Sequence, residues 1–377
     1  MPHTTQPTPA EPFATPVPVV VRVYARSDVG LTREHNEDAF IVADLSGAEP
    51  MRFSREVTWT PGRQGTLFMV ADGMGGAAAG EIASEMAVDI VLRELAAGIR
   101  SEDGSSPVEP TRFARAIRSA TETANAAIHK FAGEHPEYRG MGTTATIAGL
   151  LGDTLYVAQV GDSRAYLLRD GQAHQITKDQ SLMQKLVEAG EISPEEAEQS
   201  ERRNIILQAL GPEGQVKVDL THQQVRRGDV LLLCSDGLSA LVRTEAIAEV
   251  LRESADLEEA CERLIALANS AGGPDNITVV AARFEGETLP TAAASDDVGH
   301  RVFRTGESTP ADGPILVSLP AGIQPLPPLS AMPGPHQSNG LSAEDRRRRG
   351  LRILRVLSAV GAVIAGLVIW QLLTRVS

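Results

Sequence analysis

Cysteine is scarce. Cys234 and Cys261 are the two in 377 residues, too few for a disulfide framework. Each falls in an apolar or helix-like run and reads as a buried thiol in a reducing compartment. Histidine is thinly spread, and none of the eight stands in an HExxH or Cys/His zinc spacing. That argues against a transition-metal site built on imidazole. Basic residues are outnumbered, 35 Lys and Arg against 49 Asp and Glu. The deficit is uneven: 346–377 holds seven Arg and no acidic group, so 1–345 carries 28 basic against 49 acidic groups, a net of −21. Such a body repels phosphate backbones, which excludes nucleic acid as the main partner. Metal cations or basic protein segments suit it better. No internal repeat is visible.

What is present divides the chain. Residues 1–19 form a disordered leader, with six Pro in the first 18 positions and neither the basic nor the apolar region of a signal peptide. Residues 286–345 hold nine Pro among Gly, Ser and Ala without periodicity and read as a linker. A basic juxtamembrane segment follows at 346–355, then an apolar run at 356–373, 18 residues with Gln371 as the main polar interruption. At about 1.5 Å per residue this run reaches roughly 27 Å, close to the thickness of a bilayer core. A buried or partner-docking helix is the alternative to a transmembrane helix. The one-sided arginines favour the membrane and predict a single-pass protein whose large N-terminal domain is cytoplasmic.

Residues 20–285 read as one folded unit. Strand-like segments lie at 20–25, 39–44, 66–71, 143–150, 155–159, 164–168, 172–176, 216–225, 230–233 and 277–283. Short turns at Gly152-Asp153, Asp170-Gly171 and Gly228-Asp229 predict antiparallel hairpins. Amphipathic helical stretches come in pairs, 80–97 with 111–133 and 244–252 with 257–270. This order points to a layered antiparallel α+β domain.

The informative residues are aspartates at the ends of apolar strands: Asp38, Asp72, Asp162, Asp236 and Asp275. Singly, each Asp-Gly is an ordinary turn. Together, five strand-terminal carboxylates are unfavourable to gather unless cations neutralise them. Hard oxygen ligands without His or Cys select Mg2+ or Mn2+. A pair of such ions can activate water for in-line attack at phosphorus, so the spacing suggests a metal-dependent hydrolase. Arg33, five residues before Asp38, is either a surface residue beside Glu34 and Glu37 or a bidentate phosphate ligand.

The ordered motifs SDVGLTREHNED (27–38), VADGMGG (70–76), GMGTTAT (140–146), VGDSRAYLLRDG (160–171), SDGL (235–238) and GGPDNITVV (272–280) resemble the metal-dependent protein phosphatases. More narrowly, they resemble the bacterial type 2C Ser/Thr phosphatases, across essentially all of 22–284. The resemblance implies a four-layer α-β-β-α sandwich of two antiparallel sheets flanked by helix pairs. It implies hydrolysis of phosphoserine and phosphothreonine on proteins by a metal-activated water. Phosphorylated proteins and a cognate Ser/Thr protein kinase would be the partners.

Carried over by position, Asp38, Asp72, Asp236 and Asp275 would hold two central Mn2+ or Mg2+ ions. Gly73 would contribute its carbonyl, and Glu37 would act through water. Asp162 with Asp236 resembles the holder of a third ion. Arg33 resembles the phosphate-binding arginine and Asn276 a neighbour supporting the metal site. Gly142-Thr143-Thr144 reads as the packed start of a strand. Where eukaryotic members often carry His as leaving-group acid, this chain has Met74, as bacterial members commonly do. The segment 178–210 resembles the family's flap, with Ser193, Pro194 and Glu196 in capping-box order. The stretch 46–64 lengthens the first hairpin. A catalytically dead phosphoprotein-binding scaffold is disfavoured, because every expected carboxylate is present.

Overall fold

The computed structural model describes residues 19–75, 79–100, 107–200, 202, 204–287, 289–293 and 296–303. The expected leader up to residue 18, most of the linker, the basic segment and the apolar run 356–373 lie outside the described residues. Among the described residues no helix is long and apolar enough to cross a membrane.

The first half runs β1 (Val20–Asp28), β2 (Asp38–Asp44), β3 (Glu49–Pro50), β4 (Val57–Trp59), β5 (Thr66–Met74), α1 (Ala79–Ile99), α2 (Pro110–Glu134), β6 (Gly142–Thr143) and β7 (Ala145–Leu151). Then come β8 (Thr154–Val160), β9 (Arg164–Arg169), β10 (Gln172–Gln175), α3 (Leu182–Glu188) and α4 (Pro194–Glu198). The last part holds β11 (Asp219–Gln224), β12 (Val230–Cys234), α5 (Asp236–Ser239), α6 (Thr244–Glu253), α7 (Leu257–Ser270) and β13 (Ile277–Glu285). One sheet has the order β10-β9-β12-β13-β1-β4; the other is β11-β8-β7-β5-β2-β3, with β6 added on β5. All strand pairs are antiparallel.

Strand alternation explains the four layers. Side chains of a strand point to opposite faces in turn. In β5, Leu67, Met69 and Ala71 enter a core shared with α1 and α2, while Phe68 and Val70 face the other way, into the core between the sheets. In β12, Leu231 and Leu233 enter that same inter-sheet core, and Val230, Leu232 and Cys234 face α6 and α7. β12, and β5 from Leu67 to Ala71, are apolar without interruption because both faces are covered. On α7 the buried positions Leu257, Ala260, Cys261, Leu264, Ile265 and Ala268 recur at three- and four-residue spacing, the stripe a helix lays on a sheet. The expected four-layer α+β sandwich is the observed one.

Two stretches behave unlike their sequence reading. The insertion 46–64 closes one side of the sandwich. Its β3 extends one sheet through β2 and its β4 extends the other through β1, while Phe53 and Trp59 pack on the inter-sheet core. The chain also does not leave the domain at residue 285. It continues along the surface to Phe303, with Leu289 buried and His222 N–H donating to Arg301 O (2.9 Å). Arg226 Nε pairs with Asp296 Oδ2 (2.7 Å), and the Phe303 ring stands edge-on to Tyr156 at 5.3 Å. The described residues of 286–303, which composition places in the linker, therefore pack on the domain, because isolated apolar residues with no period still find places to bury.

Candidate active site

The functional side chains gather where strands of both sheets end. Asp38 opens β2 and stands directly opposite Asp72 in β5, which places their Cβ atoms about 5 Å apart on one face. Asp28 of β1 is level with Ile277 of β13, and Cys234 of β12 with Val279. Asp236 and Asp275 therefore emerge at the same end of the other sheet. Ser235 joins the two sheets: its Oγ donates to Asp38 Oδ2 (2.8 Å) and accepts from Thr278 N–H (2.9 Å). Ser235 is buried with both contacts taken, so it positions Asp38 and is not exposed for attack.

Asn276 is the second joint. Its Oδ1 accepts from Glu37 N–H (2.8 Å), and its Nδ2 donates to the carbonyls of Val29 and His35 (3.0 Å each). One buried amide thus holds the whole β1–β2 loop that carries Arg33 and Glu37. Arg33 Nη2 reaches Asp275 Oδ2 at 2.9 Å, so this half-exposed arginine faces the carboxylates.

Close backbone approach demands glycine at Gly73 and Gly237. A Cβ on Gly73 would lie 2.3 Å from Gly80 O and 2.4 Å from Glu37 O. One on Gly237 would lie 2.0 Å from Asn276 O. Thr143 and Thr144, read from sequence as packing, have a further task. Thr144 Oγ1 accepts from Asp72 N–H (2.9 Å), and Thr143 Oγ1 donates to Asp72 O (2.9 Å). These threonines and Ser235 escaped the sequence reading because their hydroxyl partners follow from strand register.

The electrostatics are those of crowded negative charge. Burial, then hydrogen bonds that partly oppose it and the charges of Asp236 and Asp275, leave Asp38 pushed up to about 7. Asp72 rises well above the usual carboxylate range through burial and the charges of Asp38, Asp236, Asp162 and Asp275. Burial and Asp275 raise Asp236, although a hydrogen bond with Asp72 opposes this. Glu37 is also raised, chiefly by burial, while Arg33 pulls the other way. Asp162 follows Gly161 beyond β8, is buried, and is pushed to about 8 by burial and Asp236. Its Oδ1 has no hydrogen-bond partner. The flap base lies against this loop: Gly161 N–H donates to Gln180 Oε1 (3.0 Å) and Arg164 Nη2 pairs with Asp179 Oδ2 (2.7 Å). The Ser193–Glu196 capping box forms as the sequence suggests.

The donors are all hard oxygens, Arg33 offsets only part of the negative charge, and one buried carboxylate oxygen is orphaned. That chemistry fits divalent cations. Among the described residues no three Asp, Glu, His or Cys groups converge on one ion position. Asp38 faces Asp72 across the β2–β5 ladder and Asp72 hydrogen-bonds with Asp236; small hard cations complete their shells with carbonyl and water oxygens.

Comparison with known proteins agrees with this architecture. Residues 56–270 match the family model described as protein phosphatase 2C. The serine/threonine protein phosphatase PstP of Mycobacterium tuberculosis is 40% identical over 283 residues, 74% of this chain and 49% of that protein. The chain thus spans about half the length of that relative. The serine/threonine phosphatase stp of Listeria monocytogenes is 38% identical over 258 residues, 68% of this chain and 92% of that one. A crystal structure of the catalytic domain of PstP in complex with two manganese ions superposes with a TM-score of 0.57 at 38% identity, covering 71% of this chain and 99% of that chain. With the family model covering more than half the chain and the site built on the ends of both sheets, this protein belongs to the protein phosphatase 2C family.

Proposed function

We propose that the protein is a metal-dependent phosphatase that hydrolyses phosphoserine and phosphothreonine on proteins, opposing a bacterial Ser/Thr kinase. The observation that carries this reading is the cluster of Asp38, Asp72, Asp236 and Asp275, with Arg33 pointing into it. The PstP structure holding two manganese ions supports Mn2+ or Mg2+ as the cofactor. Asp38, Asp72, Asp236, Asp275 and the Gly73 carbonyl would hold two ions, Glu37 would act through water, and Asp162 with Asp236 would hold a third. Such cations lower the pKa of water and offset charge on the phosphoryl group.

The chain's own residues do the rest. Arg33 presents a planar fork suited to two phosphate oxygens, and Asp275 keeps that fork aimed at the cluster. Ser235 and Asn276 fix Asp38 and the Glu37 loop, so that little rearrangement is left for the reacting state. Met74 has no proton to give, so the leaving alkoxide would be protonated by another group; water held at an ion on Asp162 would supply that proton, its hydroxide staying bound to the ion.

The test is phosphate release from a phosphothreonine peptide by the full chain. Release should require Mn2+ and be lost in Asp236→Asn; a metal-independent or fully active Asp236→Asn protein would refute the reading. The run 356–373 and its upstream arginines support a single-pass anchor with the catalytic domain in the cytoplasm. Protease added from the periplasmic side should then leave the 40.1 kDa chain essentially whole, and digestion of the large domain would invert the topology.

A further inference from the structure

Among the described residues four large apolar side chains are exposed: Val29, Leu31, Leu267 and Val302. Three of them belong to one corner of the molecule. Val29 and Leu31 are in the β1–β2 loop, and Leu267 is near the end of α7, which is tied to the loop by Asn269 Nδ2 donating to Asp28 Oδ1 (3.1 Å). Isolated exposed apolar residues are ordinary, but a group beside a catalytic site is a mark of binding.

The backbone here is held so that Leu31 stays in solvent, 69% exposed. Leu31 N–H donates to Gly273 O (2.8 Å), and Val29 O accepts from Asn276. Between them Gly30 has φ +76°, and a Cβ there would lie 2.1 Å from Asp275 O. Leu31 is two residues from Arg33, and its anchor Gly273 is two residues from Asp275. Two residues span at most about 7 Å, so the backbones of Leu31 and Arg33 are neighbours, and a peptide whose phosphate meets Arg33 has residues about two positions away within reach of Leu31. Asp28 holds this corner through Gly30 N–H (2.9 Å) and Asn269 Nδ2 (3.1 Å), and Asp275 is paired with Arg33.

We propose that Val29 and Leu31 form an apolar shelf that receives an apolar side chain of the phosphoprotein substrate, about two residues from the phosphorylated Ser or Thr. This rests on the phosphatase reading and adds a substrate preference to it. Leu31 makes no contact with the reacting groups; it selects the polypeptide around them.

The test uses the full chain with Mn2+ and phosphothreonine peptides that carry Leu or Gln two residues before or after the phosphorylated position. The wild type should favour one Leu peptide over its Gln counterpart by about fivefold in kcat/KM, mostly through KM, as partial burial of a leucine side chain implies. Leu31→Ser should erase that preference and hydrolyse p-nitrophenyl phosphate at the wild-type rate, which also shows that the variant is folded. Equal wild-type use of Leu and Gln peptides, or a preference unchanged in Leu31→Ser, overturns the proposal. So does a variant whose sedimentation changes while its peptide preference does not, which would make the corner a contact between copies of the chain. If wild type shows no Mn2+-dependent turnover even of p-nitrophenyl phosphate, the phosphatase reading falls and takes this one with it.

Discussion

Replacing Asp162 by Asn should make the metal-free protein more stable. Asp162 is 7% exposed, one of its oxygens has no partner, and burial with the nearby charges of Asp236 and Asp179 pushes it from 3.8 to about 8. At about 1.36 kcal/mol per unit, that shift disfavours the native state by up to about 6 kcal/mol when no cation is present. The unfolded carboxyl loses its proton near 3.8 and the native one near 8, so between those values the native state holds the proton more tightly. Native stability from this group is therefore full below 3.8 and is lost as pH rises through about 8. Loop relaxation and entry of water absorb part of the penalty, so the gain in Asp162→Asn should be about 2–4 kcal/mol at about pH 9 and shrink toward zero near pH 4. Urea denaturation in EDTA at several pH values measures it. Adding Mn2+ should reverse the order, because a ligand that binds only the native state stabilises the wild type. An Asn variant less stable than wild type in EDTA at high pH, or a gap that does not change with pH, would refute the argument.

Removing the side chain of Asn276 should free the β1–β2 loop. Three hydrogen bonds are lost, at about 1 kcal/mol each, and amide exchange across residues 29–37 should quicken while the sandwich core stays protected. Gly73→Ala should lose phosphatase activity and lower Tm, since its Cβ would meet two backbone carbonyls; wild-type activity would show that the backbone there moves freely. Phe303→Ala should destabilise the domain by about 2 kcal/mol, below the usual penalty for a fully buried Phe, because its ring is partly buried against Tyr156 and His222. Denaturation with no change would mean that residues 286–303 do not belong to the cooperative unit.

The large features were legible in the sequence because they leave periodic traces. The uninterrupted run of β12 declares burial on both faces, and the stripe on α7 declares a helix lying on a sheet. The strand-end aspartates were visible for the same reason, each standing at one end of an apolar run. What escaped has no period. β3 has two residues and β4 three, too few for alternation to appear, yet together they close the side of the sandwich. Leu289 and Phe303 are single apolar residues in proline-containing sequence, so composition placed them in the linker. Ser235, Thr143 and Thr144 matter through hydroxyl bonds to Asp38 and Asp72, and those bonds exist only once register brings distant strands together.

The pairing of β1 with β13 has a consequence for how the protein is made. Val20 lies opposite Glu285, so a strand synthesised early waits for one synthesised some 260 residues later, about 10–50 s at ribosomal speeds of about 5–20 residues per second. During that interval the β13-facing edge of β1 is open, which calls for a chaperone or fast collapse of the rest. Asp275 and Asn276 arrive with that same late segment. A nascent or truncated chain therefore lacks part of the carboxylate cluster, which is complete only when the domain is.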